Sequence, residues 1–331
     1  KGSYPIPFRT RKSSLSAPMV LCLKTRKSRT LPGISKMKNH IIVTGGAGFI
    51  GSNLIELLIN KTKYKIISLD NYSSGTKKNH IRNKRVKYIN GNTSNIKKIL
   101  EKQKNKIKVI FHFGEFARIF QSFKRFDECY NSNSIGSKAV FKFCLDNKIK
   151  LVYSATSASL GNSGNDKNLS PYSFTKSKNI ELLENLKKWF NFKFEIVFFY
   201  NVYGPKQISV GEMATVIGIF ERQYLNKEPL TVVKPGSQTR RFTHIEDTVK
   251  TCYEAFRSNK CAYYSISNKN SYSIFNVAKM FKTKIIFLKS RSGERYASAL
   301  TKISYKNKII QKYGKINLKD YISSFIKSSK L

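Results

Sequence analysis

One stretch constrains this 331-residue chain more than any other: His40-Ile-Ile-Val-Thr-Gly-Gly-Ala-Gly-Phe-Ile-Gly51. The β-branched run Ile41 to Val43 predicts a short buried strand, and the apolar residues after Gly51 predict a helix. Strand, glycine turn and helix in that order form the opening unit of a dinucleotide-binding fold. Gly45 permits the tight turn, Gly48 lets the backbone approach a pyrophosphate, and Gly51 lets the helix pack close, with Phe49 and Ile50 completing the cofactor-binding turn. The spacing is Gly45-x-x-Gly48-x-x-Gly51 rather than G-x-G-x-x-G, so the turn needs its acidic partner. Asp70 supplies it, ending the second predicted strand 19 residues beyond Gly51. A carboxylate there accepts both ribose hydroxyls, and no Arg follows closely to receive a 2′-phosphate, which favours NAD over NADP.

The rest of the chain continues the alternation. Apolar runs at Ile41–Thr44, Tyr64–Leu69, Val86–Ile89, Val109–His112, Leu151–Ser154 and Glu195–Phe199 read as strands. Gly51–Asn60, Ser94–Gln103, Ser137–Asp146 and Tyr172–Phe190 read as helices between them. Near-continuous apolar strands alternating with helices predict an α/β fold with a doubly wound parallel sheet covered on both faces. After Pro205 the rhythm loosens, up to a final helix near Leu318–Lys330, which predicts a smaller substrate-binding region toward the C-terminus.

Charge adds a second constraint. The 62 Lys and Arg outnumber the 19 Asp and Glu, for a net +43. Only 14 of the basic residues are Arg, and the lysines are spread through the chain among Asn and Ile. Nucleic-acid readers concentrate charge on one element and favour Arg, so this distribution reads as a solvated basic surface and argues against a nucleic-acid partner. Five cysteines (Cys22, Cys129, Cys144, Cys252, Cys261) form no C-x-x-C pair, which excludes a thiolate zinc site and fits a reducing compartment. No apolar run reaches the ~18–20 residues of a spanning helix. The expectation is a cytoplasmic enzyme with no metal and no membrane partner. Residues 1–36 carry nine basic residues and no acid, with prolines such as Pro5, Pro18 and Pro32. They read as a disordered basic leader outside the fold, with organelle targeting as an alternative and Met37 as the functional start.

A third constellation carries chemistry. Pro171-Tyr172-Ser-Phe-Thr-Lys176 opens a predicted helix, and the i, i+4 spacing puts the Tyr172 phenol and the Lys176 ammonium on one face. A phenol is a poor base near neutrality; a neighbouring cation stabilises the phenolate and makes an acid–base catalyst of it. The strand Leu151–Ser154 delivers Ser154-Ala-Thr156-Ser157 at its C-terminal end, where open parallel sheets bind ligands.

Taken together these segments resemble the extended short-chain dehydrogenase/reductases, the NAD-dependent epimerase/dehydratase family acting on nucleotide sugars. The matching pieces are TGGAGFIGSNL, LDNYSSG (69–75), VIFHFGE (109–115), NSNSIGS (131–137), YSATSASLG (153–161), PYSFTK (171–176), YNVYGPKQ (200–207), QTRRFTHIEDTV (238–249) and RSGE (291–294). The resemblance implies a Rossmann domain over 37–200 to which 245–268 returns, and a substrate-binding region from 201–244 and 269–331. It implies Tyr172 as catalytic acid/base, Lys176 on the nicotinamide ribose, Thr156 as the hydroxyl near the sugar and Asn201 as a substrate contact. Arg240 and Arg291 match positions that hold the nucleotide diphosphate, a task suited to the guanidinium fork. It also implies a homodimer built on the helix that carries Tyr172, where Ile180, Leu182, Leu183 and Leu186 offer more apolar surface than one sheet face requires.

Departures from the family pattern bear on the substrate. The small residues usual after the fourth strand are replaced by His112-Phe-Gly-Glu115 with Arg118 nearby, which places Glu115 and Arg118 among the candidate substrate contacts. Asn92 stands where an acidic residue often lies near the adenine, and remains a cofactor-binding candidate. Dehydratases of the family carry an acid directly after the strand-end hydroxyl. Here Thr156 is followed by Ser157 and Ala158, which favours a nucleotide-sugar epimerase, foremost a 4-epimerase of a UDP-hexose or derivative. A dehydratase or heptose 6-epimerase is the alternative within the family, and an atypical RNA-binding member is the alternative from another class.

Overall fold

The described residues of the computed structural model are 38–290 and 309–329, the side chains of 161–166 excepted. The leader 1–36 and Arg291 lie outside them. The N-terminal half alternates as read: β1 (His40–Thr44), α1 (Phe49–Lys61), β2 (Lys65–Asp70), β3 (Val86–Asn90), α2 (Ile96–Leu100), β4 (Ile107–His112). Then come α3 (Ile119–Lys124), α4 (Phe126–Tyr130), a wide π turn over Asn131–Gly136, α5 (Ser137–Asp146), β5 (Lys150–Thr156), α6 (Pro171–Phe190) and β6 (Phe194–Phe199). The remainder holds β7 (Asn201–Tyr203), α7 (Val216–Leu225), β8 (Leu230–Val233), β9 (Thr239–His244), α8 (Ile245–Arg257) and β10 (Tyr263–Ser267). It ends with β11 (Ser271–Ser273), α9 (Ile274–Met280), β12 (Ile285–Leu288), β13 (Ile309–Tyr313) and α10 (Leu318–Ser328).

Eight strands form one sheet in the order β13-β10-β6-β5-β4-β1-β2-β3, every pairing parallel. Period-2 alternation splits β1 between the faces. Ile42 enters the core shared with α5 and α6, while Ile41 and Val43 enter the core shared with α1 and α8. All three are fully buried, each contributing about 1.5–3 kcal/mol. The order reverses between β1 and β4, and the crevice at that switch point is where such sheets bind ligands. A three-stranded sheet β11-β9-β7 and a pair β12-β8 lie outside the large sheet. Around them a separate core gathers Tyr203, Phe220, Phe242, Phe281 and Leu318. The edge strand β13 comes from the stretch expected in the substrate region, yet it pairs with β10 in the large sheet.

Two local expectations differ. The helix expected over Ser94–Gln103 is α2 alone, flanked by 3₁₀ turns at Thr93–Asn95 and Glu101–Lys106. Only Ile96 and Leu100 are buried there, so no longer apolar stripe holds a helix against the sheet. In α6, Ile180, Leu183 and Leu186 are buried in the monomer's own core and Leu182 packs against it. They are not the surplus apolar surface expected of them.

Candidate active site

The glycine turn closes against the loop after β4. Gly45 adopts φ +69°, and a Cβ there would come within 2.8 Å of the Phe113 and Gly114 backbone. A Cβ on Gly51 would meet the Gly45 carbonyl oxygen at 2.1 Å, so α1 can start this close to the turn only with glycine. Gly48 caps α1, no side chain caps the helix, and its first turn holds no acid. Its leading N–H groups and dipole are left for an anion such as a pyrophosphate. Asp70 is buried at the end of β2. Its Oδ2 accepts the Ala47 amide at 2.9 Å and its Oδ1 the Tyr72 amide at 2.8 Å. Each oxygen keeps a lone pair that can take a ribose hydroxyl. These features fit an NAD adenosine and pyrophosphate.

Tyr172 and Lys176 project from the first turns of α6. Ser170 caps that helix by accepting from the Ser173 amide at 3.1 Å, and Pro171 takes the first helical position, where its missing N–H costs nothing. Lys176 is almost fully buried: its ammonium donates to the Ser154 carbonyl at 2.6 Å and to Glu115 Oε2, and stands 4.8 Å from the Tyr153 ring centroid. Thr156 closes β5, and its hydroxyl accepts the Ala158 amide at 3.1 Å.

Glu115, a candidate substrate contact, lines the site with a nearly buried side chain, 2% exposed. Its carboxylate turns inward and accepts from Ser137 Oγ (2.8 Å), Tyr153 OH (3.0 Å), Asn179 Nδ2 (3.1 Å) and the Lys176 ammonium. Three of these donors converge on Oε1, and Oε2 takes the Lys176 ammonium alone. Behind it lies a chain whose protons follow from donor accounting. Ser137 spends its hydrogen on Glu115, so it accepts from His112 Nε2–H at 2.9 Å, and His112 Nδ1 accepts from the Thr44 hydroxyl at 2.7 Å. The Thr44 oxygen in turn accepts the amides of Phe113 and Gly114. The order Thr44–His112–Ser137–Glu115–Lys176 thus ties the glycine turn to the Tyr172 helix. Burial pushes the His112 imidazole down to about 4, with the Glu115 carboxylate opposing and the Lys176 charge adding to it. His112, Ser137, Tyr153 and Asn179 were not among the expected site residues. The one sequence signal for them is Asn179 three residues beyond Lys176 on the same helix face.

A cavity of about 830 Å³ collects these groups. Gly45, Gly48, Phe49, Ile50, Gly51, Asp70, Glu115, Arg118, Thr156, Tyr172, Lys176, Asn201 and Arg240 all line it. Arg118 reaches across to the carbonyls of Met213 and, at 2.8 Å, Ala117. Burial lowers its guanidinium from the ordinary value, and nearby Tyr172 raises it. Asn201 donates to the Arg241 carbonyl at 3.0 Å. Asn92 stands apart: it is exposed and accepts from the Asn71 side chain at 2.8 Å.

Known proteins resemble this chain in sequence and in fold. The model of the NAD dependent epimerase/dehydratase family matches residues 41–274. An ADP-L-glycero-D-manno-heptose-6-epimerase of Brachyspira hyodysenteriae is 32% identical over 73% of this chain and 80% of its own. The crystal structure of UDP-glucose 4-epimerase from Thermotoga maritima superposes with a TM-score of 0.77 at 22% identity, covering 88% of this chain and 98% of that one. UDP-glucuronic acid 4-epimerase of Bacillus cereus, solved with UDP-glucuronic acid and NAD, superposes with a TM-score of 0.74 at 25% identity, covering 88% and 99%. With that family model matched over more than two thirds of its length, the chain belongs to the NAD-dependent epimerase/dehydratase family of extended short-chain dehydrogenases.

Proposed function

We propose that the protein is a nucleotide-sugar epimerase that inverts a carbinol centre by removing and restoring its hydride, foremost C4 of a UDP-hexose or a derivative. NAD bound against the glycine turn and Asp70 supplies the hydride acceptor and donor. Tyr172 takes the hydroxyl proton of the sugar and returns it; Lys176 holds the nicotinamide ribose, and Thr156 donates to the sugar oxygen. Arg240, with Arg291, holds the diphosphate, and Asn201 and Arg118 orient the sugar.

One observation carries epimerisation over dehydration. Elimination of water needs an added acid and base beside Tyr172, and the positions after Thr156 are Ser157 and Ala158. Three carboxylates line the described part of the cavity: Asp70, Glu115 and Glu212. Asp70 sits at the adenosine end, and the Glu115 carboxylate is tied to four donors, one of them the Lys176 ammonium. Glu212 is more than half exposed and faces Arg125 at 3.8 Å. The same absence suits a heptose 6-epimerase. Incubation with NAD⁺ and a panel of UDP-, dTDP-, GDP- and ADP-sugars, followed by NMR, tests the reading. An epimer is expected, and a 4-keto-6-deoxy sugar would overturn it.

We also infer a homodimer, on residues other than the leucines of α6. Phe123, Phe126 and Tyr130 on α3 and α4, and Phe174 on α6, are each 40% exposed or more. They lie on helices that pack together beside Tyr172, whose amide donates to Ser122 Oγ at 3.3 Å. A second copy covering this face removes that apolar surface from water.

A further inference from the structure

The Glu115–Lys176 pair is the one ion pair among the described residues with both side chains under 5% exposed, at 2% and 4%. Removing two charges from water costs several kcal/mol per ion, and an apolar pair of similar volume often serves stability as well. Stability alone therefore does not account for it, and its geometry bears on the cofactor. An ammonium has three N–H donors. Lys176 gives one to Glu115 Oε2 and one to the Ser154 carbonyl, and its Nζ stands 4.8 Å from the Tyr153 ring centroid. One N–H is left, and Lys176 lines the cavity. Glu115 is itself fixed by Ser137, Tyr153 and Asn179, from three different elements.

We propose that Glu115 is a positioning residue of the cofactor site, holding the Lys176 ammonium so that its remaining N–H meets the ribose of NAD. The proposal rests on the reading of Lys176 as a ribose-binding group. It assigns Glu115 no contact with sugar or cofactor and no proton transfer, since its carboxylate is engaged by four protein donors, the Lys176 ammonium among them. Its effect passes entirely through Lys176, and that makes it separable from a structural role.

The test is a double-mutant cycle on NAD⁺ affinity, read by calorimetry without any sugar, using Glu115→Gln, Lys176→Met and the double variant. Glu115→Gln should weaken NAD⁺ binding ~10-fold, the scale of a lost charge-assisted hydrogen bond. In the Lys176→Met background the same change should cost less than ~2-fold, because nothing remains to position. Glu115→Asp, which keeps the charge, should stay within ~3-fold of wild type. Equal losses in both backgrounds, no loss in the wild-type background, or Glu115→Asp binding as weakly as Glu115→Gln would each overturn the proposal. If Glu115→Gln does not melt cooperatively, Glu115→Ala takes its place in the cycle. If Lys176→Met alone leaves NAD⁺ affinity unchanged, it is the underlying reading of Lys176 that fails.

Discussion

His112 should make the stability of this protein fall in mild acid, and the structure sets the size of the effect. The imidazole is fully buried between Thr44 and Ser137, and burial holds its pKa at about 4 against an ordinary 6.5. Between those two values the unfolded chain binds a proton that the native state refuses. Stability therefore rises with pH across that window, is fully present above 6.5, and is lost as pH falls toward 4. A shift from 6.5 to about 4 corresponds to about 3 kcal/mol in total, of which about 1.4 kcal/mol is gone by pH 5.5. To isolate this one imidazole, the comparison is made against His112→Gln, which keeps a donor and an acceptor but cannot ionise. Urea unfolding of both proteins at pH 8, 6.5, 5.5 and 4.5 gives the difference in unfolding free energy at each pH. That difference, whatever its value at pH 8, should shift against the wild type by about 1.4 kcal/mol at pH 5.5 and about 2.5 kcal/mol at pH 4.5. A difference constant from pH 8 to 4.5 would show that His112 is not held neutral, and the proton order through Ser137 to Glu115 would fall with it.

Other expectations test the rest of the site. Asp70→Ala removes the carboxylate that accepts the Ala47 and Tyr72 amides and should weaken NAD binding by more than ~1 kcal/mol in calorimetry; tighter binding of NADP than of NAD by the wild type would refute the role given to Asp70. Tyr172→Phe should melt and bind NAD as the wild type does while epimerisation falls ~10²–10⁴-fold; activity within a few-fold of wild type would remove Tyr172 from the chemistry. Phe126→Glu, on the exposed apolar face of α4, should convert a dimer into a monomer in sedimentation at micromolar concentration, and a wild-type monomer there would dispose of the inferred interface.

The sequence made the cofactor half of this site legible because its requirements are local. A positive φ at Gly45, an α1 packed so close to the turn that a Cβ on Gly51 would sit 2.1 Å from the Gly45 carbonyl oxygen, and a carboxylate at the end of β2 are all fixed within one βα unit and its neighbour. Tyr172 and Lys176 were legible for the same reason, four residues apart on one helix. What was not legible depended on partners distant in the chain. Glu115 reads as a polar residue in a ligand-facing loop until Ser137, Tyr153, Lys176 and Asn179, 22 to 64 residues away, surround it. The α6 leucines read as surplus because a helical stripe does not reveal how much of itself the home sheet and α5 will cover. Helices α3 and α4 are short and leave large aromatics exposed, so neither shows the long amphipathic period by which α6 announces itself.

The central claim, that a hydride is taken from the sugar and returned to the same carbon, is tested most directly by isotope retention. A nucleotide sugar deuterated at the reacting carbon is epimerised in ordinary water and the product read by NMR and mass spectrometry. The account predicts that the product keeps its deuterium, because the label never leaves the closed site during the transfer. Loss of the label to solvent would mean deprotonation beside a carbonyl, and would contradict the redox role given to NAD and Tyr172.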